Sequence, residues 1–221
     1  MKDLSIIQEY MVCSVDEKGK IPGYSTEKMV CFVAAGILEL QSEGCIAMDG
    51  KKVCVTAGLP AHCQYLEPLY RLIAERAPVK IQKIVESYLI SFTDKHINEL
   101  VNAVGDSLVA MSLVQAGRPG LIGNRKRYIP APRTVRSVVE GMRAELLEDA
   151  DVTDETAALV ILLEKGRCLK AYFSQYEQKE ISKKLKTIMD QPSGKIVREM
   201  AAYVENIMVV ASAAAASAAS V

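Results

Sequence analysis

The sequence has no excess of either charge: 27 Lys and Arg balance 27 Asp and Glu. That balance excludes a uniformly basic nucleic-acid binder. There is no Trp, and there are only two His, so general acid–base work would fall on carboxylates, and no carboxylate pair stands out. The six cysteines, Cys13, Cys31, Cys45, Cys54, Cys63 and Cys168, include no C-x-x-C pair. Their spacing fits neither a zinc knuckle nor a disulfide framework, and buried, reduced thiols of a cytosolic protein are expected. No G-x-S-x-G occurs, which removes the common hydrolase elbow. The Gly117-x-x-Gly120-x-x-Gly123 spacing contains Pro119, follows a helical stretch and lacks the Lys-Ser/Thr of a phosphate loop, so it reads as turn chemistry. Met1-Lys2-Asp3-Leu4 lacks the apolar core of a signal peptide. The longest uncharged run, Asn206–Val221, is mostly Ala and Ser and is shorter than the roughly 20 apolar residues that span a bilayer. A soluble or peripheral chain is expected.

Half of the residues are hydrophobic and 24% are charged, a composition that excludes wholesale disorder. A chain of 221 residues can bury roughly 70% of its unfolded surface without disulfide staples, and one domain, 1–221, is the expectation. Ala, Leu and Lys favour helix. A short helix is expected over Leu4–Val12, and a second from a Ser25 or Thr26 cap to Gly44. Asp49-Gly50, between two alternating runs, is a hairpin signal. Helical stretches follow near 64–76 and 79–91, parted by Ala77-Pro78. Thr93 or Asp94 then caps a long helix whose Ile97, Leu100, Val101, Val104, Leu108 and Met111 share one face. Turn residues at 117–124 predict a second hairpin or extended loop. Helices are expected at 133–148, from a Thr153 cap through Leu163, around 169–173, at 177–190, and from Lys195 into the Ala/Ser-rich end at 211–221. The fold class is therefore mainly α: a helix-bundle core with surrounding amphipathic helices and one or two β-hairpins. No internal repeat is present.

Four segments in this order resemble the Golgi phosphoprotein 3-like family. They are Leu4–Val15 followed by Asp16-Glu-Lys-Gly19-Lys20; Ile37-Leu-Glu-Leu40 with Glu43-Gly44-Cys-Ile46; Arg127-Tyr128-Ile-Pro130 leading into Val135–Leu147; and Thr156-Ala-Ala-Leu-Val-Ile-Leu-Leu163. The resemblance spans nearly the whole chain and implies a mostly helical fold with a hairpin. It also implies a peripheral membrane protein without catalysis or cofactor, cytoplasmic and lying at the inner face of a membrane. Eukaryotic members of the family bind phosphatidylinositol 4-phosphate through a Trp and several Arg, and bind the tails of Golgi enzymes. Here the Trp position falls near Tyr24, an acceptable aromatic, and the Arg positions fall near Val33, Asn98 and Val101. Those departures, and the absence of an acidic N-terminal extension, resemble a bacterial member.

The residues themselves place charge unevenly. Arg118, Arg125, Lys126, Arg127, Arg133, Arg136 and Arg143 are opposed within 118–143 only by Glu140. That stretch carries seven minus one, or +6, against −6 for the rest of the chain (20 basic, 26 acidic). Each such cation near an anionic membrane contributes about 1 kcal/mol within a Debye length. Leu121 and Ile122 offer a small apolar wedge, and Tyr128 suits the same interfacial zone. The opposing reading is a solvated face, or pairing with Glu145, Glu148 and Asp149. The expected headgroup-binding residues are thus Tyr24, Arg118, Arg125, Lys126, Arg127, Arg133 and Arg136. Anionic lipid is the expected partner, with membrane-protein tails or a second copy joined through the 115–130 hairpin as further partners.

Two other classes stand beside this one. Helix, basic hairpin and helix also suit a winged-helix module on nucleic acid, but the 94–115 helix carries Asp94, Asn98, Glu99, Asn102 and Asp106 against Lys95 and His96, a face DNA would repel. A protein-binding adaptor rests on family analogy. Enzyme readings are weak: His62-Cys63 with Cys54 offers ligands without a metal-site spacing, and His96 with Glu99 reads as a surface pair.

Overall fold

The structure, a computed structural model, describes residues 4–19, 21, 26–50, 52–89, 94–117, 126–148, 150–191 and 194–218. Two helices, α2 (Thr26–Ser42) and α7 (Asp154–Lys165), form its centre. Every residue of α2 from Met29 to Leu40 is buried, as is every residue of α7 from Ala157 to Leu163. Both helices are apolar around most of their circumference because each is covered on several sides. α1 (Ile6–Ser14) packs on both, and α9 (Lys195–Ala218) crosses α2, α4 (Ile81–Leu89) and α7. Each fully buried aliphatic side chain stabilises this packing by about 1.5–3 kcal/mol. The one charged side chain of the core among the described residues is Glu39. It accepts from the Ile7 backbone N–H (3.2 Å) at the start of α1 and from the Tyr65 hydroxyl (2.5 Å).

Outer helices carry the expected stripes. In α5 (Lys95–Ala110), Ile97, Leu100, Val104 and Leu108 are buried, with Val101 packed against the core. The Asp49-Gly50 turn joins β1 (Ile46–Asp49) to β2 (Lys52–Val55), antiparallel, with Asp49 opposite Lys52. Thr153 caps α7, its hydroxyl accepting from the Thr156 N–H. α8 (Gln175–Asp190) opens on a capping box made by Ser174 and Glu177.

Three local expectations are corrected. The stretch 64–76 is not one helix: a 3-10 turn, Ala61–Leu66, gives way to α3 (Glu67–Ala74), because Pro68 sits at the helix start and has no N–H to continue the preceding turn. Val79–Lys80 is not helical but forms β3, paired to β2 with Val53 opposite Val79. Both valines are buried there, and the strand covers the edge of β2 that β1 leaves open. Asp94 stands at the N-cap of α5 with left-handed backbone (φ 48) and makes no side-chain cap bond. The described elements share one buried cluster, and no described helix is long and apolar enough to cross a membrane.

Candidate anion-binding surface

The basic segment is built on a short antiparallel pair, β4 (Val114–Gly117) and β5 (Arg127–Pro130), between α5 and α6 (Pro132–Leu147). Alternation on β5 sends Tyr128 inward and its neighbours outward. Tyr128 is 1% exposed. Its ring lies flat on α5 where Gly105 provides the space: a Cβ there would stand 2.5 Å from three ring carbons. The Tyr128 hydroxyl donates to Asp106 Oδ1 (2.9 Å) and to the Asn102 carbonyl (3.2 Å). Burial, reinforced by the bond to Asp106, raises its pKa, so it stays a donor. On the other side, the Tyr128 N–H donates to the Gly19 carbonyl (2.7 Å). Tyr128 is therefore the bolt that fixes the hairpin to the core, not the interfacial aromatic the sequence suggests. The exposed apolar side chain of β5 is its neighbour, Ile129, at 41%.

The cations divide into three sets. Lys126 Nζ pairs with Asp106 Oδ2 (2.8 Å), both half-exposed, a contact worth about 0–1 kcal/mol in water. Arg143, half-exposed, is engaged by its neighbours: it pairs with Glu177 of α8 (2.9 Å) and its guanidinium lies 5.3 Å over the Phe173 ring. Neither Glu145 nor Glu148 pairs with it among the described residues: Glu145 instead accepts from the Thr153 N–H and hydroxyl, and Asp149 lies outside the described residues. Arg133 and Arg136 remain exposed, without an ion pair to any described residue. Between these sets, Arg127 is half-buried, and its Nε is buried with no hydrogen-bond acceptor. Tyr24, Arg118, Arg125 and the Leu121-Ile122 wedge lie outside the described residues.

The placement of Arg133 and Arg136 runs against the field of their own helix. A helix N-terminus carries partial positive charge and favours anions, with a penalty of a few tenths of a kcal/mol or more for a cation. α6 has Pro132 in its first turn, no acidic residue there and no side-chain cap. Its other end, about 24 Å away by helical rise, reverses the pattern. There a cleft of about 1010 Å³ between α6 and α8 is lined by Glu148, Asp151, Asp154 and Glu180 beside Lys183 and Lys184. Chemically, the exposed Arg133 and Arg136, three residues apart and so on one side of the helix start, can meet a phosphate or carboxylate.

The other sequence candidates separate. His96 lies tilted beside the Tyr88 ring (centroids 6.0 Å), while Glu99 pairs with Arg71 (3.6 Å) and Lys95 (3.9 Å). His62 does meet a carboxylate, but it is Glu43 (Nε2–Oε2 3.0 Å), and the nearby thiol is Cys63 rather than Cys54. All six cysteines are free thiols, five of them buried.

The Golgi phosphoprotein 3 (GPP34) family profile matches residues 6–204. The chain belongs to that family. A comparison with curated proteins gives no significant match. Of the positions near which the family resemblance puts arginine, Val33 is in the core of α2, and Asn98 and Val101 are half-buried on α5. Sequence reasoning missed Asp106 and Gly105, which position the hairpin. Their only signal is a small residue beside an acid on the outer side of a helix that precedes a hairpin.

Proposed function

We propose that this GPP34-family chain is a non-enzymatic protein that lies against membranes by binding anionic phospholipid headgroups with β5 and the first turns of α6. The observation that carries the reading is the pair Arg133 and Arg136: exposed, unpaired among the described residues, and set at a helix start whose own polarity favours an anion. Half-buried Arg127 adds a cation on the same segment, and exposed Ile129 adds a small apolar contact. Family membership supports a lipid ligand. With uncharged residues at Val33, Asn98 and Val101, the reading is recognition of headgroup charge in general rather than of phosphatidylinositol 4-phosphate alone.

Sedimentation with vesicles of neutral phosphatidylcholine, and with the same vesicles carrying anionic lipid, tests this. Binding should rise with anionic content, should not require the phosphoinositide, and should fall steeply with salt. Equal recovery with both vesicles, or with neither, removes the proposal. The nucleic-acid reading predicts instead a salt-sensitive gel shift of duplex DNA with no response to lipid; the acids of α5, including Asp106 beside Lys126, oppose it.

A further inference from the structure

A different corner of the molecule carries a second kind of chemistry. α2 ends at Ser42, and the chain reverses through Glu43-Gly44, where Gly44 takes a left-handed φ of 69. The Cys45 N–H closes the helix end on the Leu40 carbonyl (2.9 Å). The strand returning from β2 is tied to the same turn. The Thr56 hydroxyl donates to the Gly44 carbonyl (2.6 Å), and the Thr56 N–H donates to the Cys45 carbonyl (2.9 Å). The 3-10 turn Ala61–Leu66 then brings His62 and Cys63 against Glu43.

The result is an imidazole, a carboxylate and a thiol whose ligand atoms all lie within 4.8 Å of one another. His62 Nε2 is 3.0 Å from Glu43 Oε2. We propose that Glu43, His62 and Cys63 form a three-ligand site for a borderline-soft divalent metal ion of the Zn²⁺ class. Bond lengths of about 2.0–2.3 Å in a tetrahedral site put ligand atoms roughly 3.3–3.6 Å apart. Closing the site therefore takes about 1 Å of side-chain adjustment, and His62, 67% exposed, is free to supply it. The mixed thiolate, imidazole and carboxylate set selects this class over Mg²⁺ and Ca²⁺, which take oxygen ligands. On binding, the Cys63 thiol gives its proton to solvent as the sulfur–metal bond forms, and water takes the fourth position on the open side.

Two further features suit a cation here. The carbonyl end of α2 carries partial negative charge directly beside Glu43. The other nearby thiol, Cys45, faces the Glu43 and Gly58 carbonyls (3.9 and 3.7 Å), one of which its single S–H can meet, and the sulfur within reach of both Glu43 and His62 is that of Cys63. The alternative is an ordinary exposed His–Glu pair with a bystander thiol, and the two readings differ in a direct measurement.

The full chain, reduced with a phosphine and stripped with chelator, is titrated with Co²⁺ and then with Zn²⁺. The expected result is a thiolate-to-cobalt charge-transfer band that saturates at equimolar metal and is displaced by Zn²⁺. Cys63→Ser should abolish the band. His62→Ala, at an exposed position, should weaken binding about tenfold or more. Cys54→Ser should change nothing. Absence of the band at equimolar Co²⁺, its survival in Cys63→Ser, or unaltered affinity in His62→Ala would each overturn the site.

Discussion

Replacing Gly105 with Ala isolates the contact that seats the basic hairpin. In a mid-helix position Ala is favoured over Gly by about 1 kcal/mol, so helix propensity alone predicts a more stable protein. The packing predicts the reverse. The new methyl would lie 2.5 Å from the Tyr128 ring, against an ordinary carbon contact of roughly 3.5–4.0 Å. The ring must retreat by about 1 Å, and overpacking of this kind costs about 1–3 kcal/mol. Retreat also stretches the Tyr128 bonds to Asp106 and to the Asn102 carbonyl, with a further loss of about 0.5–1.5 kcal/mol. The sum is a net destabilisation of about 1–3 kcal/mol. In a Tyr128→Val background the obstacle is gone, and Gly105→Ala should stabilise by up to about 1 kcal/mol. The sign reversal corresponds to a coupling of about 2–4 kcal/mol, read from urea unfolding of the four members of the cycle by far-ultraviolet circular dichroism. If Gly105→Ala is neutral or stabilising with Tyr128 present, or equally destabilising without it, then the hairpin is not seated as described.

Further outcomes follow from other residues. Burial raises the Glu39 pKa above 4.5 despite the bonds from Tyr65 and Ile7. Its contribution to stability is therefore complete below 4.5 and lost as pH rises through the raised value, and Glu39→Gln should remove that loss. Glu177 behaves oppositely. The Ser174 backbone N–H and hydroxyl, then Arg143, lower its pKa, so its contribution holds above 4.5 and disappears as pH falls through the lowered value. Glu177→Gln should flatten that acid limb. Urea melts across pH check both, and parallel curves for wild type and variants would refute the assignments. Thr153→Ala removes the cap of α7 together with the Glu145 bond and should cost about 1–2 kcal/mol in the same assay; no change would mean that the cap is idle. Native alkylation with iodoacetamide, followed by mass spectrometry, should modify half-exposed Cys54 first. Burial protects Cys31 and Cys63, whose thiols it pushes up to about 12 and about 11. Early labelling of Cys31 would contradict the packing around it.

Long periodic elements and strong turn chemistry were legible in the sequence. The α5 stripe, the Asp49-Gly50 turn and the Thr153 cap each depend on residues close together in the chain, and each stands where local rules put it. What escaped depends on partners far away. β3 is only Val79–Lys80, and its strand character comes from pairing with Val53. The inward phase of Tyr128 could not be read from a four-residue strand, since alternation has two phases and only the Gly105 notch on α5 selects between them. Arg143 finds Glu177, 34 residues on, rather than Glu145, two residues on. His62 and Cys63 find Glu43 across the end of α2, not Cys54 on β2. The candidate surface was legible as a charge count, whereas its division into paired and free cations needed the fold.

The most direct test of the central claim is vesicle sedimentation of the Arg133→Ala, Arg136→Ala double variant beside a control that removes the same charge from exposed positions of α8, Lys179→Ala with Lys186→Ala. At about 1 kcal/mol for each cation near an anionic surface, the first variant should lose roughly 30-fold in partitioning to anionic vesicles, and the control should stay close to wild type. Equal losses in both, or none in the first, would contradict a membrane-facing role for the start of α6.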